Sequence, residues 1–178
     1  VTAAEQVHQD VVVGEWHETL AGLRDGGFDY FDWLTAVDQT DAEEDAGFDV
    51  VCHLMATAAG TGRPPATLRR VLVRTRVPEG TSLASLTDLW RGAAWHERET
   101  HEMFGIEFTG FADGLGDTLR PLLLPDGFEG TPLRKSFVLA ARASKAWPGE
   151  KEPGGGTARG KRRKLQPPGV PDESWGPR

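Results

Sequence analysis

The side chains of this chain best equipped for chemistry sit together in the run WHERETHEMFGIEF, Trp95 to Phe108. His96, Glu99 and His101 are metal ligands in principle. The two histidines are five apart, however, which sets them about 140° apart around a helix, whereas the HExxH spacing brings both to one face. Glu99 with Glu102 could serve as an acid/base pair, but neither a nucleophile nor a substrate pocket is indicated nearby. Glu97 and His101 are four apart, as are Arg98 and Glu102, so each pair can meet along a helix surface. An ion-paired, hydrogen-bonded network that fixes the helix against a loop or a partner is therefore the favoured reading. Trp95, Met103 and Phe104, with Ile106 and Phe108 beyond the turn, are its expected apolar anchors.

A second charged motif is TPLRK, Thr131 to Lys135. Arg134 and Lys135 could hold a phosphate, yet two bases without a glycine-rich loop or a helix start make a poor cradle. A bidentate clamp from Arg134 onto a carboxylate, with Glu99 or Glu102 as candidates, is equally consistent. The sequence holds no GxGxxG, Walker A, CxxC or GxSxG pattern. Its one cysteine, Cys52, excludes an internal disulfide or a cluster held on this chain's own thiolates and reads as a small buried hydrophobe in VVCHLMAT.

These motifs need elements to position them. A short strand and a helix are expected within Glu5 to Leu23, with a turn at Asp25, Gly26 and Gly27. In FDYFDWLTAVDQ, Phe31, Trp33 or Leu34, and Val37 are expected to face a core. The β-branched centre of FDVVCHLMAT favours a strand. After the Gly/Pro loop TAAGTGRPP, the run LRRVLVRTRVP supports another strand with its arginines outward, paired antiparallel to the first. Ser85 is placed to cap a short helix with Asp88 at its third position. Gly92 interrupts, and a second helix runs from about Ala94 to Phe104 and stops at Gly105, which can take a left-handed conformation. The expected fold class is α+β: helices against a small, mainly antiparallel sheet, with an extended C-terminal arm.

The chain's 178 residues suffice for one hydrophobic core, and two units are expected, a domain over 1–137 and a Pro/Gly-rich basic tail over 138–178. No apolar stretch approaches the length of a spanning helix, and VTAAEQVHQDVVVG has neither a basic leader nor a long apolar segment, so no secretory signal is expected. Residues 1–140 carry 23 acids and 11 bases, whereas residues 141–178 carry 4 acids and 9 bases. A body near −12 disfavours nucleic acid binding, which needs a basic surface. A tail near +5, containing RGKRRK, is expected to lie on an acidic surface, its own or a neighbour's.

The stretch W-x-E-R-E-x-x-E-M-F-G-I-x-F-x-G from Trp95 to Gly110, followed by RPLLLPDGFEGTPLRKSF from Arg120 to Phe137, resembles the 30 kDa subunit family of respiratory complex I, the C subunit of bacterial NADH-quinone oxidoreductase. WLTAVDQ and FDVVCHLM resemble that family too. By this resemblance Glu97, Arg98 and Glu99 match its E-R-E; Met103, Phe104 and Gly105 its aromatic–glycine end; and Pro132, Leu133, Arg134 and Lys135 its P-L-R-K. Of these, all but Met103, together with Trp95 and Glu102, are the expected subunit contacts. Three positions depart from the pattern: Glu102 stands where Asp is usual, and Phe111 and Thr131 where histidine is usual.

The resemblance implies a non-catalytic docking subunit with no cofactor of its own. It would sit in the peripheral arm on the cytoplasmic side of the cell membrane, membrane-associated through the complex. The D (49 kDa-type), B and I subunits would be its partners, and FMN and iron–sulfur clusters would lie in other subunits. The alternative it leaves open is the same scaffold in a membrane-bound hydrogenase-like or otherwise non-NADH-fed complex. The segment AARASKAWPGEKEPG resembles the C subunits of high-GC Gram-positive complex I, which favours the first.

Overall fold

The computed structural model describes residues 6–57 and 68–137. The expected TAAGTGRPP loop after its first residue, and the arm expected over 138–178, lie outside the described residues.

The chain opens with β1 (Gln6–Val11), then a single 3-10 turn (Val13–Glu15) that leads into α1 (Trp16–Asp25). Three long strands follow: β2 (Tyr30–Gln39), β3 (Gly47–Ala56) and β4 (Arg69–Val77). They form one sheet in the order β1-β4-β3-β2, antiparallel except that β1 runs parallel to β4. A two-residue strand, β5 (Leu83–Ala84), pairs in parallel with β6 (Phe108–Thr109), and between them lies α2 (Ala93–Phe104), packed on β2. This is the α+β class expected from the sequence.

Period-two alternation makes the core side of the sheet. In β3 it points Phe48, Val50, Cys52 and Leu54 inward, and opposite them in β4 stand Val77, Thr75, Val73 and Val71. Trp16 and Leu20 of α1, and Ala93, Met103 and Phe104 of α2, close over that face. Cys52 is fully buried, and burial pushes its thiol pKa well up. On the opposite face Arg70, Arg74 and Arg76 point away from the core as expected, whereas Arg69, on the core side's register, covers the Phe28 ring. Arg74 bonds Asp10 of β1 and Arg76 bonds Asp49 of β3, a charged ladder across three strands.

Two expectations fail for local reasons. Val37 is exposed, because a bulge between Phe31 and Trp33 shifts the alternation by one residue. Beyond it Leu34, Ala36 and Asp38 face inward, while Trp33 stacks on His53. Ser85 caps no helix: residues 85–92 form turns, and its hydroxyl takes the N–H of Thr87, two residues on. That is a local side-chain turn, which Ser offers in competition with a helix start.

One glycine is required by packing. A Cβ on Gly47 would lie 2.4 Å from the carbonyl oxygen of Val77, so only hydrogen fits where β3 begins against the end of β4.

Candidate functional site

Helix α2 turns three carboxylates and an arginine in different directions, and the carboxylates meet three different fates. Glu97 points into the core and is fully buried. Its carboxyl accepts a 2.6 Å bond from the Ser85 hydroxyl and a 2.7 Å bond from the Leu86 N–H. No cation faces it among the described residues, so desolvation dominates and lifts its pKa to about 7, with Asp88 adding a little in the same direction. The network continues from Ser85 to the Thr87 hydroxyl, which in turn accepts the N–H of Ala112. The expected surface pairing of Glu97 with His101 is therefore absent. His101 sits beside the helix end instead, against the Ile106 carbonyl and Glu107.

Glu102 and Arg98 do not pair with each other either; both hold the irregular segment 119–131. Glu102 accepts the N–H groups of Leu122, Leu123 and Leu124 at 3.1, 2.7 and 3.0 Å. Those three donors, aided by the nearby Arg98 charge, outweigh desolvation and lower its pKa. Arg98 donates to the carbonyls of Arg120 and Pro121. One helix turn thus satisfies five successive residues of a segment that has no ladder of its own, which is why LRPLLLP can be ordered without being a strand. Glu99 stays half-buried, and Trp95, expected as an anchor, is 58% exposed.

The end of α2 fixes the second motif. Gly105 takes φ +74, the left-handed cap expected from the sequence. The Arg134 guanidinium lies against it. That side chain donates to the Phe104 carbonyl at 2.5 Å, pairs with Glu79 at 2.6 Å and covers the Phe48 ring at 4.9 Å. It clamps neither Glu99 nor Glu102, because both leave the helix on faces that do not meet it. Leu133 donates its N–H to the Met103 carbonyl, and Lys135 donates its N–H to Asp38 and its ammonium to Asp41. Pro132 is half-buried, while Leu133 is 56% exposed. The TPLRK motif is therefore held by three successive residues, Leu133 and Arg134 on the end of α2 and Lys135 on the end of β2.

Sequence reasoning missed Asp38, Thr87 and Glu79, and gave Ser85 the role of a helix cap instead of a partner of Glu97. Asp38 had a usable signal: once the bulge is allowed for, an acid falls at an inward position of β2, and a buried carboxylate needs donors. The others meet their partners only across long sequence separations. Of the two positions where histidine is usual in the resembled family, Phe111 is a buried core residue, and Thr131 packs where a Cβ on Gly105 would be.

Arg134→Ala should lower stability by about 1–2 kcal/mol through the lost charge-assisted bond and ring contact. Thermal denaturation of the full chain would check this, and an unchanged midpoint would contradict it. Gly105→Ala is expected to cost roughly 1–2 kcal/mol, since it combines a left-handed φ with a Cβ only 3.0 Å from Arg134 Nη2. Urea unfolding measures that loss.

Among the described residues, no group of three or more His, Cys, Asp or Glu side chains is arranged to hold a metal, and no helix is long and apolar enough to cross a membrane. The fold and the site define a small α+β domain whose charged helix orders a long irregular segment of its own chain.

The comparisons with known proteins agree on what that domain is. The profile of the family described as respiratory-chain NADH dehydrogenase, 30 Kd subunit, matches residues 10–143, and the chain belongs to this family. It is 40% identical over 126 residues to NAD(P)H-quinone oxidoreductase subunit J of Synechococcus sp., covering 66% of this chain and 62% of that protein. It is 42% identical over 104 residues to the C subunit of NADH-quinone oxidoreductase from Jannaschia sp., covering 58% and 43%. With the same subunit of Chlorobium phaeobacteroides it shares 33% over 124 residues, covering 69% and 68%. The chain thus spans less than two thirds of the length of the first two relatives.

Among solved structures, a trypsin-resistant fragment of Nqo5 superposes with a TM-score of 0.53 at 27% identity, covering 63% of this chain and 85% of the fragment. A chain of the membrane-bound sulfane sulfur reductase, an archaeal respiratory membrane complex, superposes with a TM-score of 0.62 at 22% identity, covering 79% and 76%, and shares the fold.

Proposed function

We propose that this chain is a non-catalytic structural and docking subunit in the peripheral arm of a proton-translocating NADH-quinone oxidoreductase, on the cytoplasmic face of the cell membrane. The 49 kDa-type D subunit and the B and I subunits are its neighbours, and electrons pass from NADH to quinone through FMN and iron–sulfur clusters held elsewhere. In this reading the 1–137 domain carries the contacts, and the basic 138–178 segment adds further contacts to partner subunits.

The observation that supports it is how the charges of α2 are used. Glu102 and Arg98 are committed to backbone groups of residues 120–124, and Glu97 is sealed in the core, while Trp95, Leu123 and Leu133 remain exposed. A catalytic helix would present its ionisable groups to a substrate. This one instead orders a segment and leaves large apolar side chains outside, as a docking surface does.

The test is a mild-detergent pull-down of the tagged chain from native membranes, followed by mass spectrometry. Recovery of the B, D and I subunits with an NADH-oxidising module is the expected result. Recovery of B- and D-like partners with a hydrogenase-like input module would overturn the NADH assignment, and a chain recovered alone would overturn the docking role. Arg134→Ala should lower the fraction of the chain that enters the assembly, as read on a native gel; normal incorporation would remove Arg134 from the docking reading.

A further inference from the structure

Between the C-terminal half of α2 and the segment 119–131 lies a groove of about 310 Å³. Its walls include Leu119, Pro121, Leu124, Pro125 and Phe128, with His101 on the helix side. The wall is preorganised, since Glu102 and Arg98 hold its backbone from Arg120 to Leu124. Asp113 does the same for the turn before it, accepting the N–H groups of Leu115 and Gly116 and pairing with Arg120. Yet this ordered segment turns apolar side chains outward: Phe128, on the groove wall, is 41% exposed, and Leu123 is 54% exposed. A segment stabilised only for its own sake would cover its leucines; ordered backbone with exposed apolar side chains lowers the entropy cost of binding something else.

Charge selects the occupant. Residues 107–130 contain five acids, Glu107, Asp113, Asp117, Asp126 and Glu129, and one base, Arg120. Arg120 is already paired with Asp113, while Asp117, Asp126 and Glu129 are exposed and form no ion pair among the described residues. Asp126 lines the groove, and a groove within so acidic a stretch, with Asp126 unpaired among the described residues, repels acidic and nucleic-acid partners and favours a positively charged one. A partner that also fills the groove must carry apolar side chains between its bases.

We propose that the groove between α2 and the 119–131 segment docks a basic amphipathic segment of a neighbouring protein subunit. This names the partner chemistry of the docking surface and rests on the docking reading above. The apolar side chains seat in the groove, and the flanking lysines or arginines meet Asp126 of its lining and Glu129, three residues on. Because those rim contacts are solvent-exposed, they govern encounter and salt sensitivity more than the final affinity.

The experiment places a benzophenone-bearing amino acid at Leu123 in the full chain, with a second version at Phe128, expressed in the native host. After irradiation and mild-detergent purification, cross-linked peptides are identified by mass spectrometry. The expected product is a peptide of another subunit that has net positive charge and apolar residues beside the cross-link. Its yield should fall severalfold when Asp126→Asn and Glu129→Gln are combined, and also when salt is raised before irradiation. A cross-link to a neutral or acidic peptide, to lipid, or only to another part of this chain would overturn the proposal. So would the absence of any cross-link at both positions when partner subunits co-purify, although the docking reading would then stand. If no subunits co-purify, the docking reading fails, and this proposal fails with it.

Discussion

Replacing Glu97 with Gln should make the chain more stable above neutral pH, although the residue it replaces is buried and hydrogen-bonded. The folded chain holds the Glu97 proton up to about pH 7, against an ordinary value of 4.5. Because the folded state binds this proton more tightly than the unfolded state does, the group's stabilising share is complete below the ordinary value. It is lost as pH rises through the interval to about 7, and above that the loss stays constant. A shift of this size corresponds to about 3 kcal/mol across the whole interval. Glutamine keeps the shape, accepts the Leu86 N–H through its carbonyl and donates its amide to the Ser85 hydroxyl, without the cost of burying a charge.

Urea unfolding of the full chain at pH 5 and pH 8 measures this directly. The unaltered chain should lose about 2–3 kcal/mol between the two from this group, and Glu97→Gln should remove that loss. Glu97→Ala separates shape from charge: it leaves the Ser85 and Leu86 donors unmatched and should destabilise at both values. If Glu97→Gln destabilises at pH 8, the buried carboxylate is compensated by something other than its two donors.

The second large effect is expected at Glu102. Glu102→Ala removes one acceptor that serves three backbone donors, and charge-assisted bonds of this kind contribute roughly 1.5–3 kcal/mol each before solvent replaces them. Since Leu123 is partly open to water, the loss is local, about 3 kcal/mol of loop stability by that measure. Hydrogen exchange at the Leu122, Leu123 and Leu124 amides reads it: protection should drop by about two orders of magnitude while the amides of β3 and β4 keep theirs. Unchanged exchange at all three would mean that the apolar contacts of Leu119 and Leu124 hold the segment without Glu102. Acidification should have the same effect as the substitution. The lowered pKa means the Glu102 contribution is complete above the ordinary value and is lost as pH falls through the folded one.

Glu97 and Glu102 are five residues apart on one helix, yet their pKa values move in opposite directions. Their chemical identity is the same, and burial and donor count account for the difference. A helical reading of WHERETHEMFGIEF gives their spacing but not which face meets the core. On spacing alone Glu97–His101 and Arg98–Glu102 are reasonable surface pairs. Neither forms, because a two-layer domain puts the turn at Ser85 on one side of α2 and the segment at Leu122 on the other.

Much was legible in the chain itself. The strands β3 and β4 follow from β-branched runs with period two, and the antiparallel pairing follows from their order. The stop of α2 at Gly105 follows from a residue free to take positive φ, and the buried Cys52 from its apolar surroundings. These are local properties, fixed by residues close in sequence. The motifs around Glu97 and Arg134 also marked the region that turned out to be organised.

What the sequence left open depends on contacts between distant residues. The bulge after Phe31 reverses which residues of β2 face inward, so Val37 is outside and Asp38 inside to receive the Lys135 N–H, 97 positions away. Strand β1 joins β4 in parallel across more than sixty residues, which no local pattern encodes. Arg134 ends on Phe104, Phe48 and Glu79 rather than on a helix carboxylate, because the end of α2 and the sheet converge there. The sequence by itself determined the elements and the list of charged residues. Only the tertiary structure decided which charges are buried, which hold backbone and which face water, because solvent exclusion and hydrogen-bond partners are set by the packing of elements far apart in the chain.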